Sequence, residues 1–151
     1  NEMDDFSAKP GVANAFGLLG GEANSIQPGK RPLSSMTPTM VLKDGKPYLA
    51  TGSPGAAKII TSVLQTVLNV IEFDMNIAVA SSVSRVHHQW MPDELKCESG
   101  ISVDTLRILK LLGHKTNPPT VLGSTQSVMK IGDRFEGYSD PRRPDAATFA
   151  Y

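Results

Sequence analysis

Apolar positions along this chain change period several times, and each change marks an element. Met40 to Leu42 and Tyr48 to Ala50 are short apolar runs on either side of Lys43-Asp44-Gly45-Lys46, where Asp-Gly is a hairpin turn signal. From Ala56 to about Phe73 the period lengthens. Ile60, Val63, Leu64, Val67, Leu68 and Ile71 recur at three- and four-residue spacing, and Ile59 and Val70 widen that face, so a largely buried helix layered on a sheet is expected. A shorter helix is expected over Asn76 to Ser84, and an extended run over Arg85 to Trp90. Ser102 reads as the N-cap of a helix from about Val103 to Leu112, with Gly113 just past its end. V-L-G-S-T-Q-S-V-M-K-I-G-D-R-F-E-G-Y-S-D-P then gives two more strands around Gly132-Asp133. Lys9 to Arg31 carries neither period and reads as a long loop, hinged at Pro10-Gly11 and Gly20-Gly21, with Phe16, Leu18 and Leu19 as packing residues. Hairpins with helices packed on them make the fold class α+β.

Composition narrows this picture. A chain of 151 residues and 16.2 kDa, 40% hydrophobic, suits a single globular domain over residues 1–151. Fifteen basic side chains balance fifteen acidic ones, which removes any general attraction to nucleic acid or anionic lipid. No segment has the length of a membrane span, and the opening residues do not read as a signal peptide. The single Cys97 excludes an internal disulfide. A start at Asn1 rather than Met suggests a processed or truncated product.

Candidate chemistry centres on Thr51 to Ala57, T-G-S-P-G-A-A, between the hairpin and the long helix. A helix starting there leaves N–H groups without partners at the positive end of its dipole, which suits a carboxylate or an oxyanion. Ser53 is the expected N-cap, Pro54 the first helical residue, and Gly55 a point of close approach. In N-E-M-D-D-F, residues 1–6, three acids within four positions repel one another unless a cation lies among them; a ligand ammonium held by Glu2 and Asp5 is one solution, a solvated turn another. Ser34 and Ser35 sit on a segment stiffened by Pro32 and Pro38 and are candidate donors to an anion, although no G-x-S-x-G elbow supports a serine nucleophile. His87 and His88 are neighbours on an expected strand, so their side chains diverge; no metal site is expected, and no cofactor is called for.

Taken in order, N-x-M-D-D-F-S, P-G-V-x-N-x-x-G-L-x-G-G, R-P-L-S-S-M-x-P-T, T-G-S-P-G, H-H-Q-W-x-P-D-E-L, G-S-T-Q-S and the closing S-D-P-R resemble the C-terminal part of the small catalytic subunit of γ-glutamyltransferases. The resemblance spans Asn1 to Tyr151. It implies an N-terminal-nucleophile hydrolase fold, an αββα sandwich of which this chain supplies part. It also implies a precursor that cuts itself into a large and a small subunit, a zymogen in that sense. The threonine so freed attacks a γ-glutamyl amide such as glutathione, and the resulting ester passes its acyl group to water or to an acceptor amino acid or peptide.

By the same resemblance Glu2 and Asp5 bind the substrate α-amino group, and Asn1 is a further substrate-binding residue. Ser34 and Ser35 bind the α-carboxylate, and the backbone amides of Gly55 and Ala56 form the oxyanion hole. Residues 10–21 form a lid loop that carries Phe16. The chain departs from the family in three places: Ala56 stands where Gly is common, Phe16 where some bacterial members carry Tyr, and Glu2 where some carry Gln. Ala tolerates positive φ poorly, so Ala56 is the departure that bears on the site. The nucleophilic threonine is expected upstream of Asn1, since Thr37, Thr39, Thr51 and Thr125 are internal and lack a free α-amine. The chain alone is therefore expected not to turn over, to need the large subunit as partner, and to belong to a periplasmic or extracellular protein. A glutaryl or cephalosporin acylase of the same superfamily, and a non-catalytic fragment that binds γ-glutamyl compounds, are the competing readings.

Overall fold

The structure is a computed structural model and describes residues 5–149. Asn1 and Glu2 lie outside the described residues. The chain divides between Met36 and Thr37 into two compact units.

The first unit is built from turns. Ser7 N–H donates to Asn24 O at 2.9 Å, and Glu22–Asn24 forms a single 3-10 turn. Over residues 11–20 the chain folds back on itself: Gly11 N–H donates to Gly20 O at 2.8 Å and Asn14 N–H to Leu18 O at 2.9 Å. The Asn14 side chain closes the tip by accepting from the amides of Phe16 and Leu18 at 2.9 and 3.0 Å. Leu18 is half-buried, but Phe16 and Leu19 stand exposed instead of packing the excursion down.

In the second unit an antiparallel sheet has the order β1-β2-β5-β6, with β1 at Thr39–Lys43, β2 at Lys46–Gly52, β5 at Gln126–Ile131 and β6 at Arg134–Ser139. The β1–β2 turn has Asp44 at φ 51° and Gly45 at φ 74°, both left-handed, as a two-residue hairpin turn of matching twist requires. Strand alternation puts Leu49, Thr51, Ser127 and Met129 on one face, in register Leu49 with Met129 and Thr51 with Ser127. On that face Leu49 and Met129 join Val70 of α1 (Lys58–Ile71) and Ile77 and Ala80 of α2 (Ile77–Ser82) in one core. Met40, Ala50 and Val128 on the other face are exposed.

Helix α1 turns a different stripe inward from the one its apolar period predicts. Ile59, Ser62, Val63, Thr66 and Val70 are buried, whereas Ile60 and Leu64 are 63% and 51% exposed, and Leu68 and Ile71 are exposed with them. Small polar residues explain the rotation. Ser62 Oγ reaches Leu122 O at 3.2 Å and Thr66 Oγ1 satisfies Ser62 O at 3.0 Å, so a narrow hydrogen-bonded seam packs where bulkier side chains would not fit. The helix also starts at Lys58, later than either the apolar period from Ala56 or a first helical residue at Pro54 would give, because Ala56 sits at φ 51° and Gly55 at φ 140°. Helix α2 is capped by Asn76, which accepts from Val79 N–H at 2.9 Å. The expected strand from Arg85 to Trp90 shortens to β3 (Val86–His87) paired with β4 (Lys96–Cys97). His88 Nδ1 accepts from Trp90 N–H at 3.0 Å and Gln89 O from Met91 N–H at 2.8 Å, local bonds that replace a ladder. Helix α3 (Val103–Leu111) is capped by Ser102 and followed by Gly113 at φ 95°, as the sequence indicates.

Beneath this framework lie two guanidinium and two carboxylate groups. Arg85 and Asp140, 1% and 0% exposed, pair at 2.7 Å; Arg142 bonds Asp140 Oδ1 at 2.9 Å and Glu98 Oε1 at 2.8 Å. Arg85 also donates to Leu122 O at 3.1 Å, Thr125 Oγ1 at 2.9 Å and Ser81 O at 2.7 Å. The carboxylates accept in turn from main-chain amides: Glu98 from Arg85 and Leu122 at 2.9 and 2.8 Å, Asp140 from Thr125 at 2.9 Å. Burial opposes ionisation of both acids. Hydrogen bonds from the guanidinium groups and amides outweigh it and hold both carboxyls below their ordinary values. Charge is balanced, so the cost of burial is met only while all four members are present.

Removing one member should be costly. Asp140→Asn is expected to destabilise the protein carrying this chain by about 3–5 kcal/mol, read as a lowered urea midpoint. Because the folded acids titrate below their ordinary values, their contribution is fully present above those values. It is lost as the pH falls through the depressed ones, so stability should decline below about pH 4 in the parent and less steeply in Asp140→Asn. At Ala56 the left-handed backbone disfavours a side chain, and Ala56→Gly should raise stability by about 0.5–1 kcal/mol, the strain relieved less the entropy lost by Gly. An unchanged midpoint would contradict that strain.

Candidate functional site

The turn from β2 into α1 is fixed at both ends. Thr51 Oγ1 lies 2.7 Å from Ser127 Oγ across the strand pair. Ser53 is not the helix cap that the sequence suggests: Ala57 holds that position, with φ −55°, and no side chain caps α1. Pro54 likewise precedes the helix instead of opening it. The Ser53 hydroxyl accepts from Ser124 N–H at 2.9 Å and donates to Pro54 O at 2.8 Å. Further along, Gly55 O accepts from Lys58 N–H and Ala56 O from Ile59 N–H, each at 3.0 Å. Among the described residues the N–H groups of Gly55 and Ala56 have no hydrogen-bond acceptor. They are consecutive donors beside the first turn of a helix that has no acidic residue in that turn, an arrangement suited to negative charge developing on an oxygen.

G-S-T-Q-S lies under this turn. Gly123, at φ 68°, approaches so closely that a Cβ there would stand 2.6 Å from both Ser53 Oγ and Ser62 Oγ. A Cβ on Gly55 would lie 3.5 Å from Gly123 Cα. The segment is held from below by the buried charges, through Leu122 N–H to Glu98, Leu122 O to Arg85, and Thr125 N–H to Asp140. A continuous set of bonds thus runs from the ion network to the turn.

The remaining candidates belong to the first unit. Asp5 is half-buried; its main-chain oxygen accepts from Asn24 Nδ2 at 2.6 Å, and Asn24 Oδ1 accepts from Leu33 N–H at 3.0 Å. One amide side chain therefore ties the segment bearing Asp5 to the one bearing Ser34 and Ser35. Both serines are exposed, with Ser34 Oγ at 3.4 Å from the N and O of Met36. Phe16 is 59% exposed on the excursion of residues 11–20.

Sequence reasoning missed Asn24 and the four buried charges. A single Asn in an aperiodic loop gives no signal. Asp140 and Arg142 lie in the S-D-P-R motif, which could have flagged them, whereas Arg85 and Glu98 are isolated charges flanked by ordinary residues. The histidines are structural in setting. Buried His87 has Nδ1 at 2.8 Å from Thr61 Oγ1, and burial pushes its pKa down; His88 Nε2 lies 3.3 Å from Asp93 Oδ1 at the surface. No three His, Cys, Asp or Glu residues among those described converge as a metal site. No helix among them is long and apolar enough to cross a membrane.

The family model described as gamma-glutamyltranspeptidase matches residues 1–150. The glutathione hydrolase proenzyme of Escherichia coli (strain K12) is 55% identical over 152 aligned residues, covering 100% of this chain but only 26% of the relative. The chain thus spans about a quarter of that relative's length. A solved structure of a Helicobacter pylori γ-glutamyltranspeptidase mutant superposes with a TM-score of 0.89 at 47% identity, over 95% of this chain and 80% of that one. The cephalosporin acylase of Bacillus halodurans, at 23% identity and a TM-score of 0.72, shares the fold alone. The expected α+β fold of the N-terminal-nucleophile hydrolases is therefore the one observed, and the chain belongs to the γ-glutamyltranspeptidase family.

Proposed function

We propose that this chain supplies the glutamyl pocket and oxyanion hole of a γ-glutamyltransferase and glutathione hydrolase, with the nucleophilic threonine and a large subunit contributed by residues outside it. The observation that carries the reading is the pair of consecutive unpaired amides at Gly55 and Ala56, in a chain of this family. When a hydroxyl attacks the γ-glutamyl carbonyl, its oxygen gains a full negative charge. Two preorganised N–H donors beside a helix N-terminus stabilise that charge without reorganising, a contribution on the order of 2.7–4 kcal/mol per donor. Collapse expels the amine and leaves a γ-glutamyl ester; water or an acceptor amine then repeats the attack, and the same donors serve again.

The flanking residues have complementary work. Asp5, with Glu2, takes the substrate ammonium group by charge-assisted hydrogen bonds, and Ser34 and Ser35 take the α-carboxylate, with Asn1 a further substrate-binding residue. Asn24, by joining the main chains of Asp5 and Leu33, supports a fixed spacing between these two charge-reading segments. Residues 10–21 act as the lid, and Phe16 offers it an apolar contact in place of a hydroxyl.

A covering partner is supported by what the chain leaves bare. Ile60, Leu64, Leu68 and Ile71 form an exposed stripe on α1, and Met40, Ala50 and Val128 stand exposed on one face of the sheet. We assign both to contacts with the rest of the precursor, large subunit included. Export to the periplasm or the cell exterior fits the family resemblance. A glutaryl acylase would leave Asp5 without the ammonium group that the proposed reading gives it.

In the processed full-length protein, Asp5→Ala should lower kcat/KM for a γ-glutamyl anilide by roughly 10–100-fold, the loss of one charge-assisted bond to the ammonium group. The glutaryl anilide should be a poor substrate for parent and variant alike. An unchanged kcat/KM toward the γ-glutamyl anilide, or a parent preference for glutaryl, would overturn the assignment.

A further inference from the structure

The two proposed oxyanion donors are not held in the same way. A peptide unit is planar and trans, so its C=O and N–H point in opposite directions, and fixing the carbonyl fixes the amide. The Ala56 N–H shares a plane with Gly55 C=O, which accepts from Lys58 N–H at 3.0 Å; the main chain alone sets that donor. The Gly55 N–H shares a plane with Pro54 C=O, and the group that reaches this oxygen is a side chain, Ser53 Oγ, at 2.8 Å. Gly55 itself, at φ 140°, lies where the backbone has few restraints of its own.

We propose that the Ser53 hydroxyl is a positioning residue for the first oxyanion donor: it locks the Pro54–Gly55 peptide plane and polarises the Gly55 N–H. The inference rests on Gly55 and Ala56 being the oxyanion donors. A serine hydroxyl has one proton and two lone pairs. With one lone pair engaged by Ser124 N–H at 2.9 Å, its proton is committed to Pro54 O, and the relay runs from the Ser124 amide through Ser53 Oγ–H and the Pro54 carbonyl to the Gly55 amide. Hydrogen bonds in series strengthen one another, so the last donor is more positive than an isolated amide. Gly123 makes the relay possible, because any side chain there would occupy the space of Ser53 Oγ. The ion network reaches the same relay through Leu122 and Thr125, one residue to either side of Gly123 and Ser124.

The test uses the processed full-length protein as parent, Ser53→Ala and Ser53→Thr, with kcat and KM for a γ-glutamyl anilide, thermal midpoints, and crystal structures compared at the Pro54 oxygen. Ser53→Ala should lower kcat roughly tenfold with KM within about twofold, because a misaimed donor costs less than a missing one. Its Pro54–Gly55 peptide should be rotated or split between orientations. Ser53→Thr, which keeps the hydroxyl, should restore kcat to within about threefold and the parent plane. An unchanged kcat in Ser53→Ala would overturn the proposal, as would a loss that Ser53→Thr shares in step with its thermal midpoint. If the parent does not turn over γ-glutamyl substrates, the functional reading fails separately. The peptide orientation still decides the clamp: an unrotated plane in Ser53→Ala refutes it and a rotated one upholds it.

Discussion

The turn from β2 into α1 depends on four buried charges whose attraction is useful only while complete. Arg85 immediately precedes β3, Glu98 immediately follows β4, and Asp140 and Arg142 lie in the segment after β6. An uncompensated charge at that depth would cost several kcal/mol, so the network admits one arrangement of these regions. Its spare hydrogen-bonding capacity goes to the main chain of Leu122 and Thr125, and that segment in turn touches the β2–α1 turn. The geometry of two amides is thus tied to a neutral ion cluster by hydrogen bonds through the Leu122–Thr125 segment.

The apolar surfaces tell a second story. Helix α1 gives its inner face to a polar seam of Ser62 and Thr66 against the Leu122 carbonyl, and turns its bulkiest stripe outward. Both choices are consistent with a chain that forms part of a larger layered assembly: the seam brings the helix N-terminus close to the G-S-T-Q-S segment, and the stripe remains for another layer. The sheet has the same asymmetry, with one packed face and another on which Met40, Ala50 and Val128 stand exposed.

Hairpins and capped helices were legible in the sequence because their signals are local. Asp44-Gly45 demands left-handed backbone, Ser102 and Asn76 offer side-chain caps, and alternation in β2 and β5 follows from the pleat. The facing of α1 was not legible, since periodicity locates the largest apolar stripe and cannot say which layer covers it. The β3 run was overread because His88 and Gln89 turn the chain through bonds that no period records. Within the candidate site, the turn at Gly55 and Ala56 was legible from its residues and the family motif. The actual bonding of Ser53 was not: it depends on Ser124, 71 positions away. Ala56 at φ 51° shows that the turn tolerates a methyl where Gly is the easier residue, at a modest cost in strain.

The most direct test is a crystal structure of the processed full-length protein with a γ-glutamyl group trapped on its nucleophile. An acyl oxygen within about 2.7–3.1 Å of both Gly55 N and Ala56 N is expected, with the Pro54 oxygen still bonded to Ser53. An acyl oxygen directed to solvent or to other donors, with these two amides left unengaged, would contradict it.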